Sequence, residues 1–467
     1  MKKFISHIPV FLIVVSNALS AQVSPQDSAQ LVNLLSDMVQ IESVTGNEKL
    51  LGEFLVKWAR EQDLEVEIFT DKDSSYNFVV SLYSLNFQKP NYILTGHIDV
   101  VPAEDKNWKY PPFSGVIAED AIWGRGAIDD KGPVAMMLMA LKVFKEKYSE
   151  QDLPFNISVL ILSNEETGGE LGAKLVTKSF MHRLNAVAMY GEGGSGMLKV
   201  IPSRPQTVVF GVSVNEKRPL WLKIEVKTKS KGHSASSNEP YASKKLIKAL
   251  LKLDDVVETV HFEELTKTTL RELGKTEGGI TGFVLKYSHK KIFWPLVKSY
   301  FSYGGPLNPM VSNSITITEI NTPKSGYNSI PQSAHAILDC RLLPGTDQKV
   351  FLKRMKNELG SKVDVEVILS TDAAKDSPID ENFGMFKNAI LKNFPDAEVL
   401  PFLFPASSDN TTFRLAGVPV YGITPMIMDD DLIATVHNIN ERMPIDALIK
   451  ACQTYLDFLE MVQGIQD

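Results

Sequence analysis

Between Asp27 and Ile41, apolar residues recur at Leu31, Leu34, Leu35, Met38 and Val39, the spacing of an amphipathic helix. A second helix is predicted with Leu50, Leu51, Phe54, Leu55 and Trp58 on one side. Leu64 to Ile68 alternates apolar and acidic positions, as a strand with one wet face does. Asn77 to Tyr83, Tyr92 to Thr95, Ile157 to Leu162 and Ala186 to Met189 are short and largely apolar. Such runs predict sheet strands covered on at least one face. Pro133 to Tyr148, rich in Met, Leu and Ala, predicts a helix between them. Strands alternating with helices indicate a layered α/β domain.

The pattern changes after about Pro205. Leu222, Ile224 and Val226 alternate with Lys223, Glu225 and Lys227, so one face of that strand meets water. A helix follows at Tyr241 to Leu253, then strands at Ser314 to Ile320 and Ala336 to Leu342. A helix around Val350 to Leu359 and a strand at Val363 to Leu369 complete the group. Two helices with several half-exposed strands describe a small α+β sandwich inserted into the larger domain. The α/β pattern resumes near Phe383 and ends in a helix from Ile445 to Val462. The expected division is residues 22–205 and 371–467 for the larger domain and 206–370 for the insert.

At the N-terminus, Lys2 and Lys3 precede an apolar run that includes Val10 to Val15, with small residues at Ala18, Ser20 and Ala21. That order predicts a signal peptide over residues 1–21, cleaved after Ser20 or Ala21. The apolar run is shorter than the ~20 residues that span a bilayer, so a secreted or periplasmic chain without stable membrane insertion is expected.

Charge and cysteine content narrow the chemistry. Lys plus Arg is 49 and Asp plus Glu is 56, a net charge of −7, which disfavours nucleic acid as a partner. Only Cys340 and Cys452 occur, which excludes a disulfide scaffold or a thiolate cluster. Cys340 shares a strand face with Leu338 and Leu342, and both cysteines read as small buried apolar residues. Any metal must therefore be held by imidazole and carboxylate.

Three strand ends carry such groups. Tyr92 to Thr95 runs into Gly96-His97-Ile98-Asp99, where Asp99 shares a side with His97 and can fix its tautomer. Ile157 to Leu162 runs into Asn164-Glu165-Glu166-Thr167-Gly168-Gly169. Neighbouring side chains diverge there, so one Glu can bind a metal while the other addresses a water. Ala186 to Met189 runs into Tyr190-Gly191-Glu192-Gly193. Between them, Gly124-Arg125-Gly126-Ala127-Ile128-Asp129-Asp130-Lys131-Gly132 sets two carboxylates among glycines. In open α/β sheets ligands collect at the carboxyl ends of strands, so the three ends carrying His97, Glu165 with Glu166, and Glu192 converge.

In this order the motifs resemble the di-zinc exopeptidase and amidohydrolase family of aminoacylase, carboxypeptidase G, carnosinase and succinyl-diaminopimelate desuccinylase. The resemblance runs from about Leu31 to the C-terminus. Gly96 to Pro102, Pro111-Pro112-Phe113-Ser114-Gly115 and Gly124 to Gly132 look most like the branch of yeast carboxypeptidase S and the N-fatty-acyl amino acid hydrolases. It implies a zinc-exopeptidase-like α/β catalytic domain whose inserted α+β sandwich is a lid or dimerisation domain. It implies two zinc ions per subunit, with cobalt or manganese as substitutes. His97, Asp129 and Glu192 would hold one, and Asp129, Glu166 and His437 the other. Glu165 would be the general base, Asp99 would orient His97, and the Asp129-Asp130 peptide would be cis.

The lid supplies further matches. Gly232-His233-Ser234-Ala235 resembles the histidine motif that in dimeric members reaches the partner subunit's site, which implies a homodimer through the lid. Asn328-Ser329-Ile330-Pro331 and Asp339-Cys340-Arg341 resemble segments that grip a substrate carboxylate, and a guanidinium fork suits that task. Two segments depart from the family pattern: Pro323-Lys324-Ser325-Gly326-Tyr327 replaces a glycine pair, and Ser407-Ser408-Asp409 replaces a Gly-Gly-Thr-Asp turn. Neither is expected to touch the metal ligands.

The expected function is metal-dependent hydrolysis of an amide next to a free carboxylate, of carboxypeptidase type. The alternative is an N-acyl, including fatty-acyl, amino acid amidohydrolase. A non-catalytic binder on the same fold needs no base, and the presence of both Glu165 and Glu166 argues against it. Seven aromatics fall between Phe283 and Tyr303, namely Phe283, Tyr287, Phe293, Trp294, Tyr300, Phe301 and Tyr303. They read either as packing of an extra helix pair or as an apolar wall beside the active site.

Overall fold

The computed structural model describes residues 21–465, apart from 105, 230–232, 237–240, 254–259, 304, 306 and 324–326. The signal segment 1–20, Gly232 and the departure at Lys324 to Gly326 lie outside the described residues.

The strands in chain order are β1 (Glu65–Ile68), β2 (Phe78–Ser81), β3 (Asn91–His97), β4 (Val116–Ala118), β5 (Ala121–Trp123), β6 (Asn156–Leu162), β7 (Ala186–Gly191) and β8 (Gly196–Met197). They continue as β9 (Val209–Glu216), β10 (Arg218–Lys227), β11 (Ser314–Asn321), β12 (Ser333–Leu342), β13 (Asp364–Ser370), β14 (Glu398–Phe404), β15 (Val420–Gly422) and β16 (Arg442–Pro444). Nine of them form one sheet in the order β1-β2-β6-β3-β7-β15-β9-β14, with β8 on β9. At its centre β3 runs parallel to both β6 and β7, so their carboxyl ends point the same way.

Every residue of β3 and β6 is buried, which is why these strands read as continuous runs without alternation. One face packs under the helices Pro25–Gln40, Lys131–Tyr148, Glu381–Asn393 and Ile445–Val462. The other face, with Val79, Ile93, Leu160, Leu162 and Met189, meets Ala173, Val176, Leu184 and Phe413. The helix Lys131–Tyr148 is apolar on nearly every side, as a central helix must be. The first helix begins at a capping box of Ser24 and Asp27, and Asp27 also takes the Lys142 ammonium at 2.7 Å.

A second, four-stranded antiparallel sheet runs β11-β12-β10-β13. Burial along β10 and β12 alternates residue by residue. Leu220, Leu222, Ile224, Val226, Ala336, Leu338, Cys340 and Leu342 face the helices Ala242–Leu250 and Gln348–Leu359. Trp221, Lys223, Glu225, Asp339 and Arg341 occupy the half-exposed opposite face. Cys340 and Cys452 are buried among apolar residues, and burial pushes the Cys340 thiol up to about 12.

The structure corrects the expected boundary of the insert in two respects. The strand β9, placed by its sequence position in 206–370, lies in the large sheet, parallel to β14. Val209, Phe210, Val212 and Val214 are buried there, and the half-wet alternation begins only at Arg218. Second, the helices Glu264–Glu277, Gly279–Lys286 and Trp294–Phe301 do not join the small sandwich. Leu273 packs with Ile201, Val209 and Leu400, and the Thr269 hydroxyl donates to the Pro401 carbonyl at 2.7 Å. The first of them covers the β14 edge of the large sheet, and the other two pack against it. A three-stranded sheet, β16-β5-β4, had no signal in the hydrophobic pattern, its strands being three residues each.

Candidate metal centre

The carboxyl ends of β3, β6 and β7 deliver His97, the pair Glu165-Glu166 and Glu192. His97 is the last residue of β3 and its ring is 3 % exposed. Its Nδ1 lies 2.9 Å from the Asp99 carbonyl oxygen and 3.4 Å from Asp99 Oδ1, leaving Nε2 for the cavity. The backbone of Asp99 is thus the nearer partner, and its carboxylate has a second task. Oδ1 accepts the Glu165 N–H at 3.0 Å, while Oδ2 accepts the Glu166 N–H at 3.2 Å and the Thr45 hydroxyl at 2.8 Å. One buried carboxylate therefore fastens the end of β3 to the turn after β6.

Asp129 is presented by the glycine loop that precedes the helix Lys131–Tyr148, and the Asp129-Asp130 peptide is cis. Fully buried Glu441 grips that loop. Its Oε2 accepts from Arg125 Nη1 at 2.5 Å and the Gly126 N–H at 3.1 Å, and its Oε1 accepts the N–H groups of Ile128 at 2.9 Å and Asp129 at 3.1 Å. Gly96 has no room for a side chain, since a Cβ would lie 2.4 Å from Asp130 Oδ2. That oxygen accepts the His97 N–H at 3.2 Å.

The candidate ligand atoms form two groups that share Asp129. His97 Nε2 is 3.1 Å from Asp129 Oδ1 and 4.0 Å from Glu192 Oε1. His437 Nε2 is 3.1 Å from Asp129 Oδ2 and 3.1 Å from Glu166 Oε1. Within each group all ligand atoms lie within 4.8 Å of one another. A divalent ion held at ~2.0–2.2 Å from each donor fits such a spacing.

The electrostatics agree. Loss of water pushes the Glu192 carboxyl well above its usual range, with Asp129 and Glu165 adding to the rise and His97 opposing it. Glu165 is raised by the same loss of water, opposed by His97 and reinforced by Asp409, Glu166 and Asp129. Hydrogen bonds to Asp129 and Glu166 lift His437 to about 10. So many carboxylates in one cavity call for positive charge, and the residues present fit two bound cations.

Glu165 shares a cavity with Thr95, Gly96, His97, Leu162, Glu192, Asp409 and Asn410. The turn Ser407-Ser408-Asp409 therefore ends in the same cavity as His97 and Glu192, and the next residue, Asn410, touches one of them. Asn410 Nδ2 donates to the Glu192 carbonyl at 2.7 Å and to Glu216 Oε1 at 3.0 Å. Glu216 also accepts from Ser408 and Thr411 and faces Arg414 at 3.3 Å, fixing the whole turn. Burial raises Asp409 to about 7, and its Oδ2 has no hydrogen-bond partner among the described residues. The signal that finds this turn is its place: it follows β14, another strand end, and carries Asp409-Asn410-Thr411.

On the lid, His233 and Asn328 meet each other, with Nε2 and Nδ2 3.1 Å apart beside a bridge between His233 and Ser329. Both are exposed and neither lines the cavity beside the ligands. Arg341 is closer to that cavity. Its Nε and Nη2 donate to Asp339, and Nη1 donates to Ser407 Oγ at 2.5 Å, on the turn that carries Asp409. The aromatic run lies elsewhere, on and around the helices packed against Glu264–Glu277, and none of its seven rings lines this cavity. Phe301 is buried against Phe262, whereas Phe283, Tyr287 and Phe293 pack on one another.

Comparison with known proteins agrees with this geometry. Over 382 residues the chain is 26 % identical to the human N-fatty-acyl-amino acid synthase/hydrolase PM20D1, covering 80 % of this chain and 74 % of the relative. It is 24 % identical to mouse aminoacylase-1, covering 94 % of this chain and 97 % of that one. The fold matches that of an M20 family metallo-carboxypeptidase, Sso-CP2 from Sulfolobus solfataricus, with a TM-score of 0.69. That match has 17 % identity and covers 93 % of this chain and 99 % of the other. Residues 93–461 match peptidase family M20/M25/M40, and the chain belongs to that family as a metal-dependent hydrolase.

Proposed function

We propose that this chain hydrolyses the amide bond of a small substrate that keeps a free carboxylate next to the scissile bond. The observation that carries the reading is the pair of ligand groups joined at Asp129, with Glu165 beside them in the same cavity. The donors are imidazole and carboxylate without thiolate, a set that suits zinc and tolerates cobalt or manganese. Bound there, the two cations would supply Lewis acidity toward the scissile carbonyl and toward water. Glu165 takes a proton from the attacking water and passes it to the leaving amine. Arg341 and Asn328 receive the substrate's carboxylate, and His233 steadies the carbonyl oxygen, in this subunit or across a lid-mediated homodimer.

Two substrate readings differ in what lies on the other side of the amide. A carboxypeptidase-type enzyme takes a peptide; the similarity to PM20D1 and aminoacylase-1 favours an N-acyl amino acid. Hydrolysis of an acyl-length series of N-acyl phenylalanines, alongside Gly-Phe, separates them. A rate that climbs with acyl length supports the amidohydrolase, and better turnover of the dipeptide supports the carboxypeptidase. Loss of both activities in chelator, restored by zinc, is expected in either case. Persistence of activity in the metal-stripped chain would overturn the proposal.

We also propose export to a secreted or periplasmic location. Its support is the N-terminal pattern together with one contact: the Ala21 nitrogen is buried and donates to Glu460 Oε1 at 2.6 Å. Cleavage after Ser20 would place a new α-ammonium against that carboxylate. The mass of the exported chain tests it.

A further inference from the structure

The helices packed against Glu264–Glu277 carry an apolar surface that the candidate metal centre does not use. Between Gly278 and Tyr303 the chain has four lysines and no Asp or Glu, within a protein of net charge −7. The helix Trp294–Phe301 is apolar on two sides. Val297 and Phe301 turn inward to a small core with Leu270 and Val311. Leu296 and Tyr300, four residues apart, turn outward and are 64 % and 49 % exposed. Ile280 and Phe283 do the same on the helix Gly279–Lys286, and Ile292 and Tyr303 stand 78 % and 95 % exposed. The two helices join through the Phe283 and Phe293 rings, 5.8 Å apart. Large apolar residues exposed side by side mark a surface that something covers.

The charges show what kind of surface that is. Lys286 and Lys290 lie over the Tyr287 ring at 5.4 Å and 4.6 Å, and Lys290, Lys291 and Lys298 are exposed around the apolar residues. The acids of the preceding helix are already engaged: Glu272 with Lys275, and Glu277 with Ser203. Lysines that flank Ile, Leu, Phe and Tyr side chains fit the headgroup layer of an anionic bilayer, where stems and rings enter the apolar boundary and ammonium groups reach phosphates. No described helix is long and apolar enough to cross a membrane, so the contact is peripheral.

We propose that the face formed by Ile280, Phe283, Ile292, Leu296, Tyr300 and Tyr303, with Lys290, Lys291 and Lys298, docks the protein onto an anionic lipid surface. Such docking would let an enzyme of this kind draw substrates that partition into lipid.

The test is flotation of the purified protein with vesicles of phosphatidylcholine alone or mixed with phosphatidylglycerol. Expected is binding to the mixed vesicles about tenfold or more above the neutral ones, weakened by salt. The double variants Ile292→Ser with Leu296→Ser, and Lys290→Glu with Lys291→Glu, should each lose most of it while their circular dichroism and hydrolysis of a water-soluble substrate stay unchanged. Residues 1–20 are common to every variant, so differences report this face. Equal binding to both vesicle types, or binding untouched by both variants, overturns the proposal. So does a shift from dimer to monomer in the Ser variant with vesicle binding unchanged, which assigns the face to a second copy of the chain.

Discussion

The two halves of the metal centre share Asp129 but are built differently. The half that contains His97 and Glu192 rests on strand ends in the middle of the sheet, and the His97 ring is 3 % exposed. The half that contains Glu166 and His437 rests on turns, and the His437 ring is 49 % exposed. His437 also has φ +57°, a left-handed conformation that non-glycine residues seldom adopt. Strand ends position a ligand through the sheet's own hydrogen bonds; a turn needs side chains to hold it. Here those side chains are Asp99 and Glu441, both fully buried. The inner half is therefore prearranged, and the outer half depends on its fastenings.

The largest effect should come from the two adjacent glutamates, to which the proposed function assigns chemistry and metal binding separately. Glu165→Gln is expected to lower turnover about 10²–10⁴-fold with metal content unchanged, because an amide cannot take the water's proton. Glu166→Gln should instead lower the metal count, since Glu166 faces His437. Elemental analysis beside kcat distinguishes them, and equal metal content in both variants would erase the division of labour.

Next in size is Glu441→Ala. It removes the acceptor of Arg125, Gly126, Ile128 and Asp129 together and leaves a buried guanidinium without its carboxylate. Breaking such a buried pair costs about 3–5 kcal/mol, visible as a lower midpoint in denaturant unfolding. Because Glu441 ties the bridging aspartate to the His437 loop, both halves should lose metal. A variant that is destabilised yet keeps two metals would show that the loop holds itself.

A smaller effect distinguishes the halves directly. During titration with a competing chelator, the outer ion is expected to leave first. His437→Ala should retain about one metal and His97→Ala less than one. Asp99→Asn, which perturbs the fastening but no ligand, should weaken metal binding about 10–100-fold. Simultaneous loss of both ions in the wild-type chain would mean that the halves act as one site.

The inner half was also the more legible in the sequence. His97 and Glu192 of the inner half sit at the ends of apolar runs, so strand prediction and the strand-end rule suffice to bring them together; in the outer half only Glu166, beside Glu165, is placed that way. The Asp129-Asp130 pair stood out among its glycines, but the role of Asp129 as shared ligand, His437 and the cis peptide came from the family resemblance alone. The fastenings were not visible. Nothing near Glu441 marks it as the acceptor of a loop more than three hundred residues away, and Asn410 and Glu216 meet only because β9 and β14 pair. The same pairing hid the boundary of the insert, since a strand's sheet is decided by its partner. The alternation in β10 and β12, by contrast, fixed which face is buried, and Cys340 follows that prediction.

The smallest expected effect is a pH dependence in the metal-free chain, and its sign follows from His437. With no ion between them, Asp129 and Glu166 hold the ring protonated up to about 10, against about 6.5 in an unfolded chain. A folded-state value above the unfolded one gives stability that is fully present below pH ~6.5 and lost as pH rises through ~10. Glu192 and Glu165, whose carboxyls are also raised, contribute a loss in the same direction but begin it nearer pH ~4. The two origins separate by difference. Thermal midpoints of the metal-free wild type and of His437→Gln should converge between pH ~6.5 and ~10, because only the wild type has that stabilisation to lose. Zinc should abolish the convergence, since a ligated imidazole carries no proton to release. Parallel curves across that window would mean that the outer half is held open by its loop and not drawn together by charge, and the exposed ring would then be poised for metal without help from its carboxylates.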